Sequence, residues 1–160
     1  MLDRIRIVGG RPLHGAIPIS GAKNATLPLM IAGLLTDETL ILDNVPRLAD
    51  VGLLQRILGN HGVDIMVGGK RPGETADTGQ TLHISAANIV DTTAPYELVS
   101  KMRASFWVLA PLVARMGEAR VSMPGGCAIG TRPVDLLFMA IEQLGAKVVI
   151  DGGYVVARAP

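Results

Sequence analysis

The chain has 160 residues, 49% of them apolar and 18% charged, with 15 basic against 14 acidic residues for a net charge of +1. A chain of this length buries roughly 70% of the surface it exposes when unfolded, so a true core is within reach. The balanced charge excludes a nucleic-acid-binding stripe, a polybasic membrane patch and an acidic tail.

Arg4–Val8 and Ala16–Ile19 read as short strands, the first followed by Gly9-Gly10. Asn24–Leu35 is an almost wholly apolar helix, a pattern that implies burial on most sides. Thr39–Asp43 is β-rich. Leu48–Asn60 spaces its apolar residues as a helix does, and Gly62 follows where a terminating glycine belongs. Asp64–Val67 and Thr81–Ser85 read as a hairpin around the polar loop Gly68–Gly79. Tyr96–Met116 reads as one long helix and Ala119–Met123 as a strand. A glycine-rich loop, Pro124–Pro133, then leads into a helix over Val134–Leu144. Lys147–Asp151 and Tyr154–Ala157 flank Gly152-Gly153, a hairpin turn signal. The longest apolar runs, Leu27–Leu35 and Phe106–Ala114, fall short of the roughly 18–20 residues of a membrane-spanning helix. The first residues lack the apolar stretch of a secretion signal. A single cysteine forms no disulfide within the chain, and a reducing cytoplasm is the expected setting. With 3% aromatic residues, base stacking on single strands is not expected either.

Both halves read helix, strand, helix, strand, strand, an α/β pattern repeated over about 23–85 and 96–157. Local anchors agree. Val45-Pro46 matches Met123-Pro124, and Gly62-Val63-Asp64-Ile65 matches Gly145-Ala146-Lys147-Val148. Sixteen residues separate Pro46 from Gly62, but twenty-one separate Pro124 from Gly145. The five extra residues fall in the loop of Gly125, Gly126, Cys127 and Gly130, at a strand-to-helix junction where function commonly resides. A neutral loop insertion is the alternative.

Cys127 is either a small buried hydrophobe or a reactive thiol. The flanking glycines, Arg132 five residues on and the following helix start favour the thiol. Pro133 suits the first position of that helix. Arg132 then stands at the positive end of the helix dipole, so it points to solvent or shares an anion with the helix. Asp135, in the first turn, complements the dipole. Lys23 shows the same misplaced charge at the start of an apolar helix, beside Asn24 and after Ser20-Gly21-Ala22. That is a ready anion site, or an exposed lysine with Asn24 as the cap. Arg103, beside Ala104 and Ser105, needs a partner if buried: Glu97, another acid, or a phosphate. Trp107 is read as core or interface. His14, His61 and His83 lack metal spacing and are read as structural or surface; no P-loop, HExxH or GxGxxG context occurs.

Ser20-Gly-Ala-Lys-Asn-Ala25, Lys101-Met-Arg-Ala-Ser105 and Pro124-Gly-Gly-Cys-Ala-Ile-Gly-Thr-Arg-Pro-Val-Asp135 together resemble the enolpyruvyl transferases, specifically the UDP-N-acetylglucosamine 1-carboxyvinyltransferases of bacterial peptidoglycan synthesis. The resemblance runs from Met1 to Pro160. It implies an inside-out α/β barrel architecture, incomplete here: residues 1–22 would belong to a second domain and residues 23–160 would form two of the first domain's three repeats. It implies phosphoenolpyruvate and UDP-N-acetylglucosamine as substrates, fosfomycin as a covalent inhibitor and no cofactor or metal. Cys127 matches the family's acid. Lys23 and Asn24 match a phosphoenolpyruvate-contacting pair. Arg103, Arg132, Pro133, Val134, Asp135 and Leu136 match residues at the sugar nucleotide. Leu137 stands where many relatives carry histidine. The family's base and further phosphate-binding arginines lie in the second domain, so the chain by itself is expected to be inactive and prone to self-association. The sister transferase acting on shikimate 3-phosphate is disfavoured by the cysteine loop. A non-catalytic anion-binding or interaction module is the alternative from another class.

Overall fold

The computed structural model describes residues 4–68, 79–123 and 133–160. The first repeat runs α1 (Lys23–Ala32), a 3₁₀ turn (Gly33–Leu35), β1 (Thr39–Val45), α2 (Ala49–Asn60), β2 (Asp64–Gly68) and β3 (Gln80–Ser85). The second adds a short β4 (Thr93–Ala94) and α3 (Tyr96–Val99). A 3₁₀ segment (Arg103–Val108) and α4 (Leu109–Met116) follow, then β5 (Glu118–Ser122), α5 (Asp135–Gln143), β6 (Lys147–Asp151) and β7 (Tyr154–Arg158).

The two sheets have the same topology. Their strand orders are β1-β3-β2 and β4-β5-β7-β6, in which β3 and β7 pair antiparallel with both of their long neighbours. Each unit is therefore a split crossover. β1 and β2 run parallel, joined through α2, and the returning strand β3 inserts between them. β5, α5, β6 and β7 repeat the arrangement. The repeat read from the sequence is present at the level of hydrogen-bonded register, with Ile41 opposite His83 and Arg120 opposite Val156. β4 pairs parallel with β5 and is an addition in the second sheet.

Period-two burial follows from strand geometry. Leu82 and Ile84 of β3 and Val155 and Ala157 of β7 are fully buried, whereas Ile41, Met66 and Ile150 on the other strands are exposed. The helices cover the inner faces. Met30 and Leu34, Leu54 and Ile57, and Phe106, Leu109 and Leu112 join the sheet residues in one apolar cluster. Each such side chain, once removed from water, contributes about 1.5–3 kcal/mol. Phe106 also meets Phe138 of α5, with ring centroids 5.9 Å apart and planes tilted by 59°.

Two contacts tie the repeats together besides the core. Arg115, in the last turn of α4, donates through Nη1 to the carbonyls of Leu34 (3.2 Å) and Thr36 (2.8 Å), closing the end of the 3₁₀ turn in the first repeat. His61, just past α2, is fully buried and holds the inter-repeat segment. Its Nδ1 lies 2.7 Å from the Asp91 carbonyl, its own carbonyl accepts from the Val90 N–H at 2.9 Å, and the neighbouring Asn60 Nδ2 donates to the Thr93 carbonyl. Facing a carbonyl oxygen, Nδ1 is the nitrogen that carries a proton and donates. Burial pushes its pKa below 6.5, against the opposing pull of Asp91.

Four expectations are corrected. Arg4–Val8 and Ala16–Ile19 are not strands. No partner among the described residues pairs with them, and Ile5, Ile7, Ile17 and Ile19 stand exposed. The long helix over 96–116 is broken. Met102 is extended (φ −151°, ψ 121°), and the Ser105 hydroxyl donates to the Met102 carbonyl, satisfying a group that helix would have used. Restarting at Leu109 also places Pro111 in a first turn, where its missing N–H costs nothing. Pro133 is not the first helical residue. Val134 is the N-cap and α5 begins at Asp135, because the Val134 carbonyl is the first to accept from the helix, from Leu137 and Phe138. Asn24 is not the cap of α1. That helix begins one residue earlier, with Ala22 at the N-cap and no side-chain cap. Among the described residues no helix is long and apolar enough to cross a membrane.

Candidate functional site

The starts of α1 and α2, the broken segment before α4 and the approach to α5 meet around a cleft of about 570 Å³. Its walls carry Lys23, Asn24 and Leu27 from α1, Asp50 from α2, and Lys101 to Ala104 with Trp107. Pro133, Val134, Leu136 and Leu137 complete it from the side of α5.

The start of α1 is held by a close backbone approach. The Gly21 N–H donates to the Asn44 carbonyl at 2.9 Å, at the bulge that ends β1, where Asn44 is left-handed with φ 58°. A Cβ on Gly21 would sit 2.4 Å from that carbonyl oxygen, so only glycine fits. The Ala25 and Thr26 N–H groups bond to the Ala22 carbonyl, the first acceptor of the helix. The amides of Lys23 and Asn24 precede it and are open to a ligand. No acidic residue stands in the first turn of α1 to use them.

Lys23 is paired across the cleft with Asp50, Nζ to Oδ2 at 2.9 Å, and both side chains are about half exposed. Arg103 is half-buried in the wall, and among the described residues it makes no ion pair, Glu97 included. The break in the 96–116 segment is what turns Lys101 and Arg103 into the cleft, since both flank the extended Met102. The cleft thus offers three cations against one carboxylate, together with unused helix amides, which suits a polyanionic ligand. Leu27, Trp107, Pro133, Val134, Leu136 and Leu137 form an apolar side able to hold a ring.

Of the residues singled out from the sequence, Lys23, Asn24, Arg103, Pro133, Val134 and Leu136 are brought to one cleft. Asp135 is exposed in the first turn of α5 and does not line it. Cys127 and Arg132 lie outside the described residues. Trp107 is not core: it is 48% exposed and forms part of the wall. Sequence reasoning missed Asp50 and Lys101 as wall residues. Asp50 carried no signal of its own, since an acid in the first turn of α2 is explained by the helix dipole. Among the described residues no group of three or more His, Cys, Asp or Glu side chains could hold a metal ion.

Residues 7–160 match the family model described as EPSP synthase (3-phosphoshikimate 1-carboxyvinyltransferase). Proteins from Afipia carboxidovorans and Rhodopseudomonas palustris are each 81% identical over 159 residues, and one from Nitrobacter winogradskyi is 79% identical. All three carry the name UDP-N-acetylglucosamine 1-carboxyvinyltransferase. The match takes in 99% of this chain, and the chain spans 37% of the length of these relatives. Among solved structures, the enolpyruvyl transferase NikO from Streptomyces tendae superposes with a TM-score of 0.73 at 24% identity, over 94% of this chain and 31% of that one. An EPSP synthase from Acinetobacter baumannii gives 0.59 at 12% identity, over 84% and 30%. These two likenesses establish the fold, of which the chain holds part. With the family model matched over all but the first six residues, the chain belongs to the EPSP synthase family of carboxyvinyl transferases.

Proposed function

We propose that the chain is part of a UDP-N-acetylglucosamine 1-carboxyvinyltransferase. That enzyme moves the enolpyruvyl group of phosphoenolpyruvate to the 3′-hydroxyl of the sugar nucleotide, in the cytoplasm, at the start of peptidoglycan synthesis. The observation that carries the reading is the meeting of Lys23, Asn24 and Arg103 with Pro133, Val134 and Leu136 around one cation-rich cleft. The four-fifths identity to proteins of that name supports the choice of acceptor over shikimate 3-phosphate. Only 37% of such a relative is represented, so the activity belongs to the longer protein.

The chemistry is addition followed by elimination. Cys127 gives its thiol proton to the methylene carbon of phosphoenolpyruvate, leaving a cationic carbon that bears the phosphate and carboxylate. The sugar 3′-oxygen attacks that carbon and gives its proton to a base supplied by the rest of the longer protein, forming a tetrahedral ketal. The Cys127 thiolate takes back a proton from the new methyl group as inorganic phosphate departs, which restores the double bond and the thiol. Lys23 and the open amides of α1 hold the phosphate as charge builds on its bridging oxygen. Arg103, Arg132, Pro133, Val134 and Leu136 bind the nucleotide, while Asp135, exposed at the start of α5 and off the cleft wall, takes no part in the empty protein.

Mass spectrometry after incubating the longer enzyme with fosfomycin tests the reading. An adduct on Cys127 is expected; a modified protein with Cys127 untouched would overturn the assignment. The 160-residue chain alone is expected to release no phosphate from phosphoenolpyruvate and UDP-N-acetylglucosamine. Release at the rate of a full-length relative would refute that expectation.

A further inference from the structure

We infer that Asp50 is a positioning residue that holds Lys23 for the incoming anion and hands it over, so that anion binding competes with the Lys23–Asp50 ion pair. The inference rests on the anion-binding reading of the cleft given above. Lys23 is the first residue of α1, where the helix dipole disfavours a cation, and its helix offers no acid in the first turn. Its partner is Asp50, 2.9 Å away, in the first turn of α2. There the dipole favours a carboxylate.

The two partners are therefore unequal. The Asp50 carboxylate keeps the favourable end of its own helix dipole when the lysine leaves. Lys23, at the unfavourable end of its helix, gains from a nearby anion, whether Asp50 or a ligand. With both side chains about half exposed, the pair is of the kind whose making or breaking changes an equilibrium by about fivefold or less. That is strong enough to aim the ammonium into the cleft and weak enough for a doubly charged phosphate to displace. Among the described residues Asp50 is also the one carboxylate on a wall that carries Lys23, Lys101 and Arg103, so it lowers the positive charge that wall shows.

The test is a titration of the 160-residue chain with inorganic phosphate, followed by the backbone amide resonances of Lys23 and Asn24 and the Lys23 side-chain ammonium resonance. Wild type, Asp50→Asn, Lys23→Met and the double variant are compared. Asp50→Asn is expected to move the ammonium resonance without ligand and to tighten phosphate binding by roughly twofold to fivefold, an increase that loss of structure would not produce. Lys23→Met weakens binding, and in that background Asp50→Asn has a clearly smaller effect. Equal affinity of wild type and Asp50→Asn, with Lys23→Met weakened, would leave the anion site standing and overturn the hand-over. So would an Asp50→Asn effect of the same size with and without Lys23, since Asp50 would then act through the general field alone. Absence of phosphate binding in all four proteins would overturn the anion reading and the hand-over with it.

Discussion

Arg115 is the contact between the repeats whose removal can be read most directly. Its guanidinium, at the end of α4, donates to the Leu34 and Thr36 carbonyls at 3.2 and 2.8 Å. Both carbonyls lie at the end of a 3₁₀ turn, where backbone acceptors have no partner of their own. Leu34 is fully buried and Thr36 half-buried, so water replaces the lost donor poorly at the first and better at the second. A hydrogen bond to a charged group contributes about 1.5–3 kcal/mol, and the longer of these two contributes little. Arg115→Met keeps the packed methylenes and removes the fork, and is expected to cost about 2 kcal/mol. Arg115→Lys keeps one charged donor without the fork and should cost about 1 kcal/mol. Urea unfolding of the chain at low concentration, followed by far-ultraviolet circular dichroism, measures both. The midpoint should fall with an unchanged slope, and Tm should drop by roughly 4–8 °C in the methionine variant. A loss below about 0.5 kcal/mol in Arg115→Met would show that Arg115 does not help to join the repeats.

His61 gives a pH dependence of known sign. Burial lowers its folded pKa below the 6.5 of the unfolded chain, so the native state holds fewer protons and stability falls as pH drops below about 6.5. Unfolding free energies between pH 7.5 and 5 should fall more steeply for wild type than for His61→Asn; parallel curves would refute this. Gly62 has φ +90°, and a Cβ there would lie 2.7 Å from the Asn88 carbonyl oxygen. Gly62→Ala should therefore cost at least about 1–2 kcal/mol in the same urea assay, and a neutral result would contradict it. The chain exposes Ile5, Ile7, Ile17 and Ile19, and an apolar cleft of about 420 Å³ between α4 and the end of α5. Light scattering should find it associated; a monomer at every concentration would count against that.

What the sequence disclosed depended on how local each signal was. The repeat was readable because its marks are local: a glycine after each second helix, a proline after each first long strand, and alternating apolar residues between them. The strands over Arg4–Val8 and Ala16–Ile19 carry the same alternation and fail, because a strand needs a neighbour to pair with, and alternation cannot report whether one exists. The break before α4 turns on a competition that periodicity does not weigh. The serine hydroxyl of Ser105 takes the Met102 carbonyl, and Pro111 is harmless only in a helix that starts anew. That break is also what brings Lys101 and Arg103 to the cleft, so the irregularity that defeats the helix pattern is the one that builds the site. Lys23 and Arg103 could be suspected singly, each as a cation in an unfavourable place. Asp50 could not be, since an acid at a helix start is already satisfied by its own dipole. Its part follows only from the packing of α1 beside α2. Within one unit, the helix starts that lie side by side decide which charges meet, and a residue content in its own helix can still set the charge its neighbour presents to a ligand.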